Sequence, residues 1–333
     1  MIAWLEFMIC TVMIVIAGAR LTRYGDAIAD KTGLGGTWIG VVLIAAVTSL
    51  PELATGISSV TVVGAPDIAA GDILGSCAFN LLILVAVDVL NRPDGVYRAA
   101  SLGHLVSSGF GVILLAVIGL GLVLSLAGLP MGLRHVGAYS VVLLVLYAMA
   151  VRTVFHYEKL HVGQFADKEP DSYPNITLRQ ASLRYALAGV VVVLAGIALP
   201  FVGRALAEQM GWNESFVGTL FIALVTSLPE VVVTIAAVRL GALDMAVGGL
   251  LGSNLFNTAI LAVDDLLFMP GPLLAHVAPT HSASAFTAIM MTGVAVVGLI
   301  YRPHRIRHVI GWASLTLLAI YLLNVVVQYR FGG

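Results

Sequence analysis

Charge is scarce in this chain. Only 11% of its 333 residues are Asp, Glu, Lys or Arg, whereas 59% are hydrophobic and the mean hydropathy is +1.01. Soluble domains carry about twice that share of charge, so the composition excludes a water-soluble globular protein and requires an integral membrane protein. The formal net charge of −1 by itself says nothing about nucleic acid, and no nucleic-acid partner is expected of a membrane protein. Cysteine is almost absent: Cys10 and Cys77 both fall in apolar runs, which excludes a disulfide framework or a thiolate metal cluster. A secretory signal is missing as well. The first apolar run has no basic leader, carries Glu6 and shows no cleavage site before Arg20, so it reads as a retained helix. Low-complexity segments are absent, and the polar stretch at 156–180 is too short to be a domain of its own.

What the chain does have is apolar length. A bilayer core needs about 20 apolar residues per helix, and ten such runs lie near 2–19, 35–62, 67–90, 102–127, 131–154, 182–208, 214–239, 242–268, 283–301 and 307–329. The expected fold is therefore all-α, with ten transmembrane helices. Of the 17 Lys and Arg, 14 fall in or beside the connections after helices 1, 3, 5, 7 and 9, and only Arg134, Arg204 and Arg330 lie on the other side. Basic residues stay cytoplasmic, so a multi-pass cell-membrane protein with both termini outside the cytoplasm is expected. Trp4, Trp38, Trp212 and Trp312 lie near span ends, where an interfacial aromatic belt would place them.

The sequence also repeats itself. A shift of 178 residues lays 17–52 onto 195–230 with 16 identities in 36 positions, and after a one-residue gap GDILGSCAFN (71–80) matches GGLLGSNLFN (248–257). The duplicated unit holds five helices, and an odd number makes the second copy enter the membrane from the opposite side. This implies inverted repeats at 1–155 and 181–333, joined by a cytoplasmic linker at 156–180.

Both copies contain VTSLPE, at 47–52 and 225–230. Pro51 and Pro229 cannot donate to the carbonyls of Val47 and Val225, so each helix must break and free backbone oxygens. In hydrocarbon such oxygens need a cavity or a partner. Thr48, Ser49 and Glu52, repeated as Thr226, Ser227 and Glu230, add hydroxyls and a carboxylate at the break. In the following helix, Gly71 and Gly75, or Gly248 and Gly252, permit close helix approach, and Ser76 with Asn80, or Ser253 with Asn257, extend the polar face by one turn. These are all hard oxygen donors suited to Na⁺ or Ca²⁺ rather than to soft or imidazole-seeking metals. A charged carboxylate at the bilayer centre costs about 2.5–3.5 kcal/mol, so two of them read as functional. The structural alternatives are neutral, interhelically bonded glutamates, threonine and serine hydroxyls bonded back to their own helix, and asparagines acting as interhelical glue.

Other polar residues carry less. Asp72 lies one turn before Ser76 as a third candidate, either ligand or proton carrier, but its repeat counterpart is Gly249. Asp88 and Asp265 are equivalent and read as solvated interfacial acids or as attractors of cations at the two mouths. Asp67 and Asp244 read as caps of the helices they begin. None of the eight histidines shows defensible metal-ligand spacing, His304 and His308 included.

The doubled pattern, TSLPE followed by a G-x-x-x-G-S-x-x-x-N helix, resembles the α-repeats of the cation/calcium exchanger superfamily, with the microbial sodium/calcium exchanger branch the nearest in look. The resemblance covers almost the whole chain. It implies an antiporter with alternating access to one midplane site, Na⁺ influx driving Ca²⁺ out. It further implies that Thr48, Ser49, Glu52, Ser76 and Asn80, and Thr226, Ser227, Glu230, Ser253 and Asn257, bind the ions together with backbone carbonyls near Ala45 and Ala223. No cofactor is implied beyond the transported Ca²⁺ and Na⁺, and a monomer or a homodimer is equally compatible. Three departures stand out. Val47 and Val225 replace a usual glycine, Asp72 and Cys77 replace asparagines, and Asn257 stands where many relatives have Asp, which argues against a potassium-dependent exchanger. A Ca²⁺/H⁺ antiporter using the same carboxylates is the nearest rival. A channel is disfavoured by inverted halves with broken helices. An intramembrane aspartyl protease is disfavoured because Ala69 breaks the GxGD pattern and no partner aspartate is evident.

Overall fold

The structure is a computed structural model and describes residues 1–32, 45–90, 95–129, 132–161, 173–302 and 310–332. The principal helices are α1 (Ile2–Lys31), α2 (Leu50–Ser58, continued by a π turn over Ser59–Val63), α3 (Pro66–Leu90), α4 (His104–Leu126), α5 (Ala138–His161), α6 (Leu178–Met210), α7 (Leu228–Arg239), α8 (Leu243–Leu267), α9 (His281–Tyr301) and α10 (Trp312–Phe331). A helical stretch, Glu214–Thr226, precedes α7 at a bend of 43°. Among the described residues, eight helices are long and apolar enough to cross a membrane, or nine if the bent pair is one span. The first part of the expected span at 35–62 lies outside the described residues, as do Trp38, His304, His308 and residues 162–172 of the polar linker. The part of that span that is described begins at Ala45.

Several ends differ from expectation. α1 continues to Lys31 and α6 spans 33 residues, Leu178–Met210, about 50 Å at helical rise. Hydropathy stops these helices at their first charges, but charged residues propagate a helix well when they protrude beyond the bilayer. Tyr173 anchors the extension of α1 by donating to Asp26 at 2.7 Å. A capping box of Thr177 and Gln180 starts α6, and Gly211 in the left-handed region stops it. α5 begins at Ala138 rather than 131, because residues 132–137 form a two-stranded hairpin, Gly132–Leu133 against Val136–Gly137, turning at Arg134 with φ 63°.

α3 and α8 form the centre, with 67% and 72% of their apolar windows buried, against 33% for α1 and 22% for α5. The outer helices present Leu5, Ile9, Val12 and Ile16 on α1 and Leu187 and Leu194 on α6 to the surroundings. An apolar exterior of this extent belongs in lipid. Trp4 and Trp212, expected at an interface, also pack inside the protein. They join Phe7, Phe216 and Phe221 in an aromatic cluster, with Trp212 stacked on Phe221 at 5.1 Å.

Glycines set how closely the halves interlock. A Cβ on Gly18 of α1 would meet the Pro229 ring, and one on Gly196 of α6 would meet Ala54 Cβ at 2.8 Å and the Pro51 carbonyl at 3.1 Å. Each long outer helix therefore packs on the proline break of the other copy. Gly75 is tighter still, since a Cβ there would lie 2.3 Å from the Thr219 carbonyl.

Candidate ion-binding site

The TSLPE helices break where proline demands it. Ser49 (φ −86°, ψ 14°) and Ser227 (φ −86°, ψ 5°) leave helical geometry at matching positions, and Pro51 and Pro229 open the next helical segment. The Ala45 and Ala223 carbonyls are engaged rather than free. They accept the backbone N–H of Ser49 and Ser227, each at 3.1 Å. Thr48 also back-bonds to Ala45 at 3.0 Å, the local alternative considered for that hydroxyl.

One oxygen of each glutamate is held by the opposite copy. Ser49 Oγ donates to Glu230 Oε1 and Ser227 Oγ donates to Glu52 Oε1, both at 3.2 Å. The next layer repeats the exchange, with Thr48 Oγ1 3.4 Å from Ser253 Oγ and Thr226 Oγ1 3.4 Å from Ser76 Oγ. Asp72 joins without a repeat partner, accepting from Thr226 Oγ1 at 2.7 Å. Thr226 thus turns toward Asp72, with the Ile222 carbonyl a longer 3.1 Å away.

None of Thr48, Ser49, Glu52, Asp72, Ser76, Asn80, Thr226, Ser227, Glu230, Ser253 or Asn257 exceeds 3% exposure. All are buried, and the contacts above bring Thr48, Ser49, Glu52, Asp72, Ser76, Thr226, Ser227, Glu230 and Ser253 into one neighbourhood. One oxygen of each acid, Glu52 Oε2, Asp72 Oδ2 and Glu230 Oε2, makes no hydrogen bond. Glu52 lies within electrostatic reach of both Glu230 and Asp72. Buried carboxylates with unused lone pairs and no basic partner call for a cation or a proton. Among the described residues no three His, Cys, Asp or Glu side chains could hold a metal alone, so a cation here needs the hydroxyls and amides as well.

The asparagines split in role. Asn80 donates to Asn254 Oδ1 at 3.0 Å, and Asn254 donates to the Cys77 carbonyl at 3.0 Å, so Asn80 is partly interhelical glue with its Oδ1 unused. Asn257 is buried beside Cys77. Asn254 was not singled out from the sequence, although its alignment with Cys77 in the repeat is a usable signal.

Two readings of peripheral acids are corrected. Asp88 and Asp265 are not solvated but buried. Asp88 accepts from Val96 N–H (3.2 Å), Gly311 N–H (3.0 Å) and Ser314 (2.8 Å), and Asp265 from Gly137 N–H (2.7 Å), Leu273 N–H (2.7 Å), Ser140 (2.6 Å) and Tyr139. Each ties the start of a helix in the other copy, α10 or α5, where unpaired N–H groups attract an anion. Asp67 and Asp244 do not cap their own helices. Asp67 accepts from His281 and Asp244 from His104, both at 2.9 Å, across the copies. The histidine partners escaped the sequence reading because their spacing is tertiary. Asp264 was also passed over; it is fully buried.

A buried, doubled set of acids and hydroxyls inside a lipid-facing helical bundle defines the class: a membrane ion carrier. The family model for sodium/calcium exchanger protein matches residues 2–155 and 183–330, and the chain belongs to that family. Inner membrane protein YrbG of Escherichia coli (strain K12) is 27% identical over 267 residues, covering 78% of each chain. The fold is shared with a solved structure of the H⁺/Ca²⁺ exchanger CAX (TM-score 0.71, 15% identity, 99% of this chain and 82% of that one). It is shared also with one of the sodium-calcium exchanger NCX_Mj (TM-score 0.60, 21% identity, 98% of each).

Proposed function

We propose that this protein is a secondary active antiporter that exchanges Na⁺ for Ca²⁺ by alternating access at the Glu52–Glu230 site. The observation that carries the reading is the reciprocal serine bonding. Each glutamate is held by the other copy's serine and keeps one oxygen unused, so a cation between them would be held by both halves at once. A cation with different affinities for two arrangements of the halves biases which arrangement forms. Two carboxylates neutralise one Ca²⁺, or share several Na⁺, which makes the two loads mutually exclusive.

Ten spans arranged as inverted repeats at 1–155 and 181–333, a cytoplasmic linker at 156–180 and external termini complete the proposal. The cross-copy pairs Asp88–Ser314 and Asp265–Ser140, and Asp67–His281 and Asp244–His104, support it, since two equivalent copies that exchange contacts produce such matched sets. Asp72, an acid beyond the repeat-related pair and bonded to Thr226, favours a second reading, Ca²⁺/H⁺ exchange through the same site.

Radiolabelled Ca²⁺ uptake into proteoliposomes decides between them. Uptake driven by an outward Na⁺ gradient at equal pH is expected for wild type and absent in Glu52→Gln and Glu230→Gln. Uptake under a pH gradient alone would replace the sodium reading with the proton one, and exchange persisting in both variants would refute the site.

A further inference from the structure

Asp264 stands outside the oxygen set described above. It lies in α8, seven residues beyond Asn257, so both fall on one helix face. Its side chain is fully buried and neither carboxyl oxygen makes a hydrogen bond. The carboxyl group is pressed against Gly56 of α2, one turn past Glu52. A Cβ on Gly56 would overlap Oδ2 and come within 2.7 Å of Oδ1. Its repeat counterpart is Val87, an apolar residue, so the fold does not need an acid at this place.

The titratable groups that act on it are Asp72 on α3 and Asp265 beside it on α8; Asp265 in turn holds the hydroxyl of Tyr139 on α5, and Glu52 lies one turn before the Gly56 contact on α2. None is cationic. A bare carboxylate here would lack any partner among the described residues, which disfavours the charged form strongly. A metal ion would need oxygen ligands that this apolar contact with Gly56 does not supply. A proton needs no further ligand.

We propose that Asp264 is a proton-binding residue that releases its proton when a cation enters the neighbouring acidic site. The inference rests on the reading of that site as a cation site. The O–H bond of the acid breaks heterolytically, the electron pair stays on the carboxylate, and the proton passes to water admitted as the bundle opens. The positive charge of a cation beside Asp72 stabilises the new carboxylate through space.

The test uses the purified full-length protein in weakly buffered detergent solution with a pH-indicating dye. CaCl₂ or NaCl is added, with choline chloride as control, and cation binding is followed in parallel by calorimetry. Wild type is expected to release protons on binding, and Asp264→Asn to release about one fewer per bound Ca²⁺ while still binding it. Equal release by both overturns the proposal. Failure of wild type to bind either cation removes the site reading, and this inference with it. Should Asp264→Asn not fold, infrared difference spectra of wild type and Asp264→Glu replace it. Ca²⁺ should bleach the carbonyl band of an acid free of hydrogen bonds, and the band should move in Asp264→Glu. Absence of the band in wild type, or an unmoved band in Asp264→Glu, overturns the assignment.

Discussion

Asp88 and Asp265 on one side, and Glu52 and Glu230 on the other, are two repeat-related pairs of acids, both buried, yet they are finished differently. Each capping aspartate has both oxygens occupied by donors, some at the start of a helix from the opposite copy and one, the Val96 or Leu273 N–H, from its own. Each glutamate has one oxygen bonded to a serine and one unused. Burial alone therefore does not mark function. A carboxylate whose lone pairs are all spoken for is a fixed internal anion that positions helix ends, whereas one left half-served retains the capacity to take a further charge.

The largest effect that could break this comparison is on stability. Asp265→Ala strips the acceptor from four buried donors and should destabilise the protein by about 3–5 kcal/mol, read as a collapse of the thermal melt in detergent. Asp88→Ala should destabilise in the same direction, since it orphans the Val96 and Gly311 N–H groups and the Ser314 hydroxyl. Glu52→Gln and Glu230→Gln should do the converse. Cation affinity by calorimetry should fall by about 2 kcal/mol or more, roughly 30-fold, whereas the ion-free melt should hold or rise. An ion-free melt that falls as far as that of Asp265→Ala would erase the distinction between the two pairs.

A smaller test concerns the two copies themselves. Gly75→Ala drives a methyl into the Thr219 carbonyl and should cost about 1–3 kcal/mol. Its counterpart Gly252→Ala meets, among the described residues, only Ala45 Cβ, at 3.3 Å, and should change the melt by less than half as much. The smallest effects are expected at the cross-copy Asp–His pairs. Asp244, whose side chain is 59% exposed, should lose about 1 kcal/mol or less in Asp244→Asn, and Asp67→Asn, at 26% exposure, should lose more. Equal losses would show that solvent screening does not set the difference.

Much of the site was legible because proline and charge are so improbable in apolar runs. Pro51 with Glu52, and Pro229 with Glu230, announce a broken helix and a buried acid wherever they occur, and the duplication locates both. The same logic failed for Asp88 and Asp265, since an acid near a span end reads as solvated until the N–H groups that claim it are seen. It failed also for Asp264, which hides beside Asp265 and has no echo in the first copy. His104 and His281 carried no signal because their partners lie 140 and 214 residues away.

By itself the sequence determined the membrane class, the duplicated unit and the break at each TSLPE. Those depend on hydropathy, on identity between copies and on a missing N–H, all properties of the chain alone. Only the tertiary structure decided which acid meets which donor. Hydrogen bonds among the breaks that precede α2 and α7, those helices themselves, α3 and α8 join residues some 150 to 205 positions apart, and such distances close only when two halves pack against each other.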